Sequence, residues 1–320
     1  MSKKTKIWLI TASCVAIVGL IIFAGVMTAM NWDFTKLSTV KYETNTHEIT
    51  EEFKGIKVDT NTADIIFKSS EDSVCRVVCR EETKHHHEVS VVDSTLKIEL
   101  KKDKRWYEYI GINIGSQKIT VYLPKGVYGD LSVKANTGDI DIPADFSFEN
   151  IDIKTNTGNV GVYASAKGDV KIKTNTGGIT LEGISATDLD LSVNTGKTTL
   201  DSLVCDGDIT LAVSTGKTIL NDVKGKSLTS KGNTGSITLT DVILSKKLSI
   251  KRGTGNVKLE KCDAAEMYIE TDTGDVKGSL CSDKVFITET DTGSIKVPES
   301  TNGGKCKIKT DTGDIKITVE

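Results

Sequence analysis

A Thr-Gly dipeptide recurs ten times along this chain at nearly constant spacing. Its glycines are Gly138, Gly158, Gly177, Gly196, Gly216, Gly235, Gly255, Gly274, Gly293 and Gly313, so every step is 19 or 20 residues. So short and regular a period specifies a solenoid, in which each repeat is one coil stacked on the last.

Hydropathy gives the type of coil. Seven and five residues before each glycine, and two and four after it, the chain is apolar at 35 of 40 positions. Leu131 and Val133 precede Gly138, for example, and Ile140 and Ile142 follow it. The exceptions are Thr198, Thr218, Ser230, Gly278 and Thr288. Alternation with period two means strands with one buried face. The inward set is odd-numbered before the glycine and even-numbered after it, so the phase flips at the turn. Glycine allows this because it takes positive φ at no steric cost. Two residues earlier stand Asn136, Asn156, Asn175, Asn194 and Asn233, then Asp272, Asp291 and Asp311, types that tolerate turns. Stacking at about 4.8 Å predicts a threonine ladder beside an Asn/Asp ladder.

A third inward column near +7 holds Leu203, Val223, Val242, Cys262 and Cys281, which implies a three-faced coil. The fold class is therefore all-β, a single-stranded parallel β-solenoid of 19–20-residue coils; its handedness is not given by the sequence, and a right-handed coil is the default from the crossover preference. Ten coils make a rod of roughly 50 Å.

The first residues belong to another environment. Lys3, Lys4 and Lys6 precede an uncharged run from Ile7 to Met30, long enough as a helix to span a bilayer. Basic residues on its short side place the N-terminus in the cytoplasm. The organisation reads as a cytoplasmic tail 1–6, a transmembrane anchor 7–30, a linker 31–50, irregular coils 51–125 and regular repeats 126–320. A cleaved signal peptide is the rival reading, but the run is long for one and no A-x-A site follows. Cys14 does not fit a lipidation site, because Thr11 stands where an aliphatic residue is needed. The net charge of −3 argues against nucleic acid.

From Phe53 the alternation is looser. A degenerate corner at Asn61-Thr62-Ala63-Asp64 lies 75 residues before Gly138, close to four periods. This predicts about four irregular coils, with strands near 74–79, 89–92, 95–100 and 118–123. The 101–117 loop mixes basic and aromatic side chains. Lys104, Arg105, Trp106, Tyr107 and Tyr109 are candidates to touch a partner or lipid headgroups, against a plain hairpin that plugs the end of the solenoid.

No catalytic constellation is legible and no cofactor is implied. His85, His86 and His87 are consecutive, and neighbours in a strand face opposite sides, so the three cannot serve one metal from one face; a solvated loop or strand end is the expected setting. Gly-Lys-Thr at 196–198 and 216–218 imitates a phosphate loop, but Leu191 and Leu211 replace the glycine that loop needs. Cys262 and Cys281 share a column close enough to bridge; free buried thiols are the simpler expectation, Cys306 included. Asp272, Asp291 and Asp311 stack in neighbouring coils, where calcium would relieve their repulsion. The ladder of Lys258, Lys277, Lys296 and Lys316 would serve in part, and the glycine-rich calcium nonapeptide is absent.

The strand Ile119-Thr120-Val121-Tyr122-Leu123-Pro124, the run Leu131-Ser132-Val133-Lys134-Ala135-Asn136-Thr137-Gly138-Asp139-Ile140 and the later Thr-Gly turns carry a resemblance. With the single span, they resemble the bacterial putative-adhesin β-strand repeat, or toast-rack domain, found in Lia-type and phage-shock-like envelope-stress proteins. It covers about residues 50–320 and implies no catalytic residues. It implies a role in envelope sensing or scaffolding, or in adhesion. The expected protein is a non-enzymatic interaction module anchored in the cell membrane, with its C-terminal domain extracytoplasmic. A surface adhesin or polymer-binding protein is the alternative. A lyase-like solenoid enzyme would need longer loops than these coils leave. The chain closes on Ile315-Lys316-Ile317-Thr318-Val319, an expected bare edge for an envelope partner or for self-association.

Overall fold

A computed structural model describes residues 2–38, 40–101 and 115–320. Helix α1 (Lys3–Ala29) is capped by Ser2, whose Oγ accepts the Thr5 N–H at 3.2 Å. Thr11 and Thr28 donate to the carbonyls of Ile7 and Ala24, so these two hydroxyls are satisfied within the helix. Among the described residues nothing buries its most apolar window, and of the helix only Met27 is buried.

The remainder is a β-solenoid with three faces per coil, parallel except at its N-terminal end. The strand before each corner stacks on its equivalent, from Leu131–Thr137 through Ile151–Thr157, Val170–Thr176, Leu189–Thr195 and Asp208–Thr215. The strands after the corner stack likewise. A third face begins with Gly126–Tyr128, Phe146–Phe148 and Ser165–Ala166. The inward columns merge into one core, with Leu203, Val223, Val242 and Cys262 at most 1% exposed. A second corner between the second and third faces uses Ser202, Asp222, Asp241 and Lys261, all at φ between 45° and 52°.

The first corner explains the invariant glycine. Gly158 sits at φ 144°, and a Cβ there would fall within the shell of the Gly138 carbonyl. Threonine −1 faces outward in every coil, while −3 faces the core. Thr271, Thr310 and Thr290 at −3 donate to the carbonyls of Gly255, Gly274 and Gly313 at 3.0–3.1 Å, so these inward hydroxyls are not orphaned.

Both ends depart from the sequence reading. Near the N-terminus the elements are β1 (Tyr42–Ile49), β2 (Gly55–Asp59), β3 (Asp64–Ser69), β4 (Cys75–Glu82), β5 (His87–Val92), β6 (Thr95–Leu100) and β7 (Lys118–Leu123). The expected four coils between Ala63 and Gly138 are not there. The β2–β3 coil stacks directly on the Gly138 coil: β2 pairs with Leu131–Thr137, and β3 with Ile140–Ile142. Strands β6 and β7 lie parallel beyond β2 and β3. Strands β5, β4 and β1 then pair antiparallel, closing both sheets. Asp93 and Ser94, at φ 51° and 56°, form the two-residue turn that reverses β5 into β6. The presumed 31–50 linker supplies β1, which covers β4.

At the other end the coils stack out of order. Gly304–Thr312 pairs with Met267–Thr273 on one side and Lys284–Thr292 on the other. Ile315–Val319 lies between Val276–Leu280 and Ile295–Lys296. The final strand is therefore paired on both sides at Ile315 and Lys316 and on its inner side alone at residues 317–319, which corrects the expectation of a bare C-terminal edge for the first part of the strand. Among the described residues the outer edge is 284–296. Apolar burial accounts for the order: Cys306, Ile308, Ile315 and Ile317 are at most 2% exposed, whereas Ile295 is 45% exposed and Thr288 interrupts its column. Gly303 and Gly304 let the chain slip back between two coils, since a Cβ would strike the Asp283 carbonyl at the first and the Ala265 carbonyl at the second.

Candidate functional site: a buried acidic knot and the exposed ladders

The exposed corner edge is built as the sequence implies. Asn136, Asn156, Asn175 and Asn194 each donate from Nδ2 to Oδ1 of the asparagine one coil back, at 2.6–3.1 Å. The first acceptor is Asn61, 75 residues from its donor. A second ladder runs just past the glycines. The N–H groups of Asp139, Asn159 and Gly178 donate to side-chain oxygens of Asp64, Asp139 and Asn159, at 2.7–3.0 Å.

At the C-terminal end the swapped order reshuffles the acidic corner. Asp311, not Asp291, is the neighbour of Asp272, and all three are exposed. The lysine ladder runs Lys258, Lys277, Lys316, Lys296. Lys277 lies 2.7 Å from Asp275 and 3.7 Å from Asp314, so it serves another pair of carboxylates. The hydrogen bond from Lys277 holds Asp275 below its usual range, and backbone donation from Ser294 does the same for Asp314. Near the Asp272–Asp311–Asp291 column the cations are Lys251 and Lys309, paired first with Glu270 and Glu289.

Among the described residues, the group of three metal-ligating types whose ligand atoms lie within 4.8 Å of one another is elsewhere, in the cap. It consists of Cys79, Glu81 and His87, all buried. Cys79 and Glu81 share the inward face of β4, and His87 opens β5. Glu81 Oε2 accepts from the His87 backbone N–H at 2.7 Å and lies 2.6 Å from His87 Nδ1. Asn45 Nδ2 of β1 donates to Glu81 Oε1 at 2.8 Å. His87 Nε2 meets Thr60 Oγ1 at 2.9 Å, so both ring nitrogens are engaged. Burial alone would push the Glu81 carboxyl up, but donation from His87 and Asn45 outweighs it and holds the group at about 2. Burial pushes the Cys79 thiol up to about 12, with the Glu81 charge adding to it. The cluster is thus complete as a hydrogen-bonded knot. A metal would have to break the 2.6 Å contact and deprotonate a resistant thiol.

The sequence reading set the histidine triplet aside as a solvated segment. The structure corrects this for two of the three: His85 and His87 are buried, and only His86 is half-exposed, 3.4 Å from Glu43 and from Glu81. The alternation of β5 put His87 inward, but the partner on β4 was invisible without the antiparallel pairing. Lys104, Arg105, Trp106, Tyr107 and Tyr109 lie outside the described residues. All seven cysteines are free. Cys262 and Cys306 are buried as expected, with thiols pushed up to about 11 and about 12 by burial. Cys281 is exposed, against expectation. Its coil has no left-handed residue at the second corner, so Leu280 takes the inward place opposite Cys262.

A search of the curated proteins found no match. Several solved structures are similar in outline. One, described as a "putative adhesin" from Bacteroides fragilis, is 15% identical with a TM-score of 0.42, over 87% of this chain and 97% of that one. Another "putative adhesin", from Parabacteroides distasonis, is 12% identical with a TM-score of 0.45, over 85% and 98%. A "putative lipid binding protein" from the same organism is 13% identical with a TM-score of 0.35, over 86% and 97%. The family model Toastrack DUF4097 matches residues 53–213 and 204–320, nearly the whole solenoid, and the chain belongs to that family.

Proposed function

We propose that this protein is a membrane-anchored, extracytoplasmic interaction module without enzymatic activity, serving the cell-envelope stress response. The carrying observation is the junction of two unlike parts. An apolar helix of 27 residues, whose most apolar window is left unburied by the described residues, precedes a rod whose long exposed edge repeats the same amide, hydroxyl and carboxylate groups. A repetitive polar edge suits docking along an extended partner. The lysines before the helix favour a cytoplasmic N-terminus and an outward rod.

Orientation is tested on Cys281, the one exposed thiol of the solenoid. A membrane-impermeant maleimide applied to intact cells labels it in the proposed orientation and leaves a Cys281→Ser chain unlabelled. Labelling only after lysis overturns the orientation. The stress role is tested by deletion. Altered sensitivity to envelope-active antibiotics and altered stress-reporter output are expected. An unchanged response, with loss of binding to surface polymers instead, would favour an adhesin.

A further inference from the structure

Among the described residues, three side chains of the Asp, Glu, Lys and Arg types have at most 3% of their surface exposed inside this solenoid, and two of them touch an ionisable partner. Glu81 has His87, and Lys284 has Asp263 at 2.6 Å. The third, Arg252, is 2% exposed and has no carboxylate partner among the described residues. It stands at the inward −3 position of its coil, where other coils carry Ala135, Thr155, Val193 or Val213.

The surroundings are adapted to it. One coil back, −3 is Gly232, where a Cβ would strike Arg252 Nη1, so the missing side chain makes the room. Three of the five breaks in the apolar columns gather along the same line. Ser230 Oγ, one coil back, accepts from Arg252 Nη2 at 2.7 Å, and Thr218 Oγ1, two coils back, at 3.4 Å. Thr198, in register with Thr218, follows one coil further. Ser230, Thr218 and Thr198 are each fully buried. Two polar atoms remain without a partner: Arg252 Nε and Thr198 Oγ1. Burial pushes the guanidinium down to about 10, which still leaves it charged at neutral pH.

A buried charge is costly unless compensated, and hydroxyls accepting hydrogen bonds do not cancel a full positive charge. A small anion would. It would take the free Arg252 Nε–H, and hydroxyl protons turned toward it would complete its shell. We infer that the core of the solenoid between the coils of Thr198 and Arg252 is a binding site for a monatomic halide, with Arg252 as counter-charge and Thr198, Thr218 and Ser230 as hydroxyl donors. A closed core of this kind favours chloride over larger organic anions. Bound there, the halide stabilises the folded rod.

The test uses the full chain in detergent micelles. One arm melts it in sodium chloride and in sodium gluconate at equal ionic strength. A saturable rise in Tm on the order of a few °C with chloride is expected for the native chain. It should be absent in Arg252→Met and reduced in Thr198→Val, which keeps the side-chain shape should the first variant fold poorly. The second arm covers an anion trapped in the core. Protein desalted into gluconate is denatured, and the released chloride is measured against the Thr198→Val and Arg252→Met chains. Either a chloride-specific shift or a release of about one chloride per chain, weakened by these substitutions, supports the site. Equal melting in both salts together with no released chloride overturns it, as does a chloride response that the substitutions leave unchanged.

Discussion

The two ends of the solenoid solve the same problem by different means. A parallel stack leaves unpaired backbone groups at each end. At the N-terminal end the chain reverses, and β5, β4 and β1 cover the stack as antiparallel strands held by one buried knot around Glu81. At the C-terminal end nothing reverses. The last coil slides inside, and the less apolar coil before it becomes the rim. One end is secured by a few buried side chains, the other by backbone ladders and apolar burial. The first should fail locally and with pH, the second by loss of whole coils.

The largest expected effect comes from removing 304–320. Cys306, Ile308, Ile315 and Ile317 would be lost from the core, a gross cost of about 6–12 kcal/mol at about 1.5–3 kcal/mol per side chain. Because this coil is interior, hydrogen exchange should show lost amide protection in 284–296 as well as in 268–280. Protection retained at 284–296 would mean the coils stack in chain order. A milder check of the same order uses paired cysteines. Glu270→Cys and Glu289→Cys should each form a disulfide with Lys309→Cys, since both are in register with it, but not with one another.

Next in size is the knot. Glu81→Ala should cost about 3–5 kcal/mol by leaving buried donors unpaired. The native chain should also carry a signature in acid. The folded Glu81 carboxyl, at about 2, lies below its ordinary value of 4.5. Its contribution is therefore complete above about pH 4.5 and is lost as pH falls toward 2. Chemical denaturation across that window should give a shallower acid limb for Glu81→Gln than for the native chain.

Between the two ends, the corners separate backbone from side-chain ladders. Gly158→Ala, at φ 144° and against the Gly138 carbonyl, should cost about 1–3 kcal/mol. Gly126→Ala, with open space around it, should not destabilise. Asn156→Ala removes two amide ladder bonds at an exposed edge and should cost no more than about 1 kcal/mol. Equal losses for Gly158→Ala and Asn156→Ala would show that the ladder, not the backbone, holds the corner. Thermal or urea denaturation reads each.

Much of the fold was legible in particular residues. The Thr-Gly corners, the inward columns and the third column through Cys262 follow from side-chain alternation, a local property. The N-terminal strands lie near their expected places, yet their pairing was hidden. Asp93-Ser94 is a weaker hairpin signal than Asn-Gly, and strand direction leaves no trace in alternation. Gly303-Gly304 was a sign that the chain doubles back, readable only with the neighbouring backbones in place. For candidate sites the balance is poorer. The Glu81 knot joins β1, β4, β5 and Thr60, the residue that follows β2. Around Arg252, the breaks at Thr198, Thr218 and Ser230 were visible singly but meant nothing until three coils were stacked.

The sequence by itself determined the unit: a 19–20-residue three-faced coil with a glycine corner, and an apolar helix set apart from it. Those features rest on φ preferences and hydrophobic period, which act within a few residues. Only the tertiary structure decided the order of the coils, the closure of the ends and the company of the buried charges. Every parallel edge offers the same hydrogen bonds to every coil, so the choice among them falls to burial and close approach, which exist only once the coils are stacked.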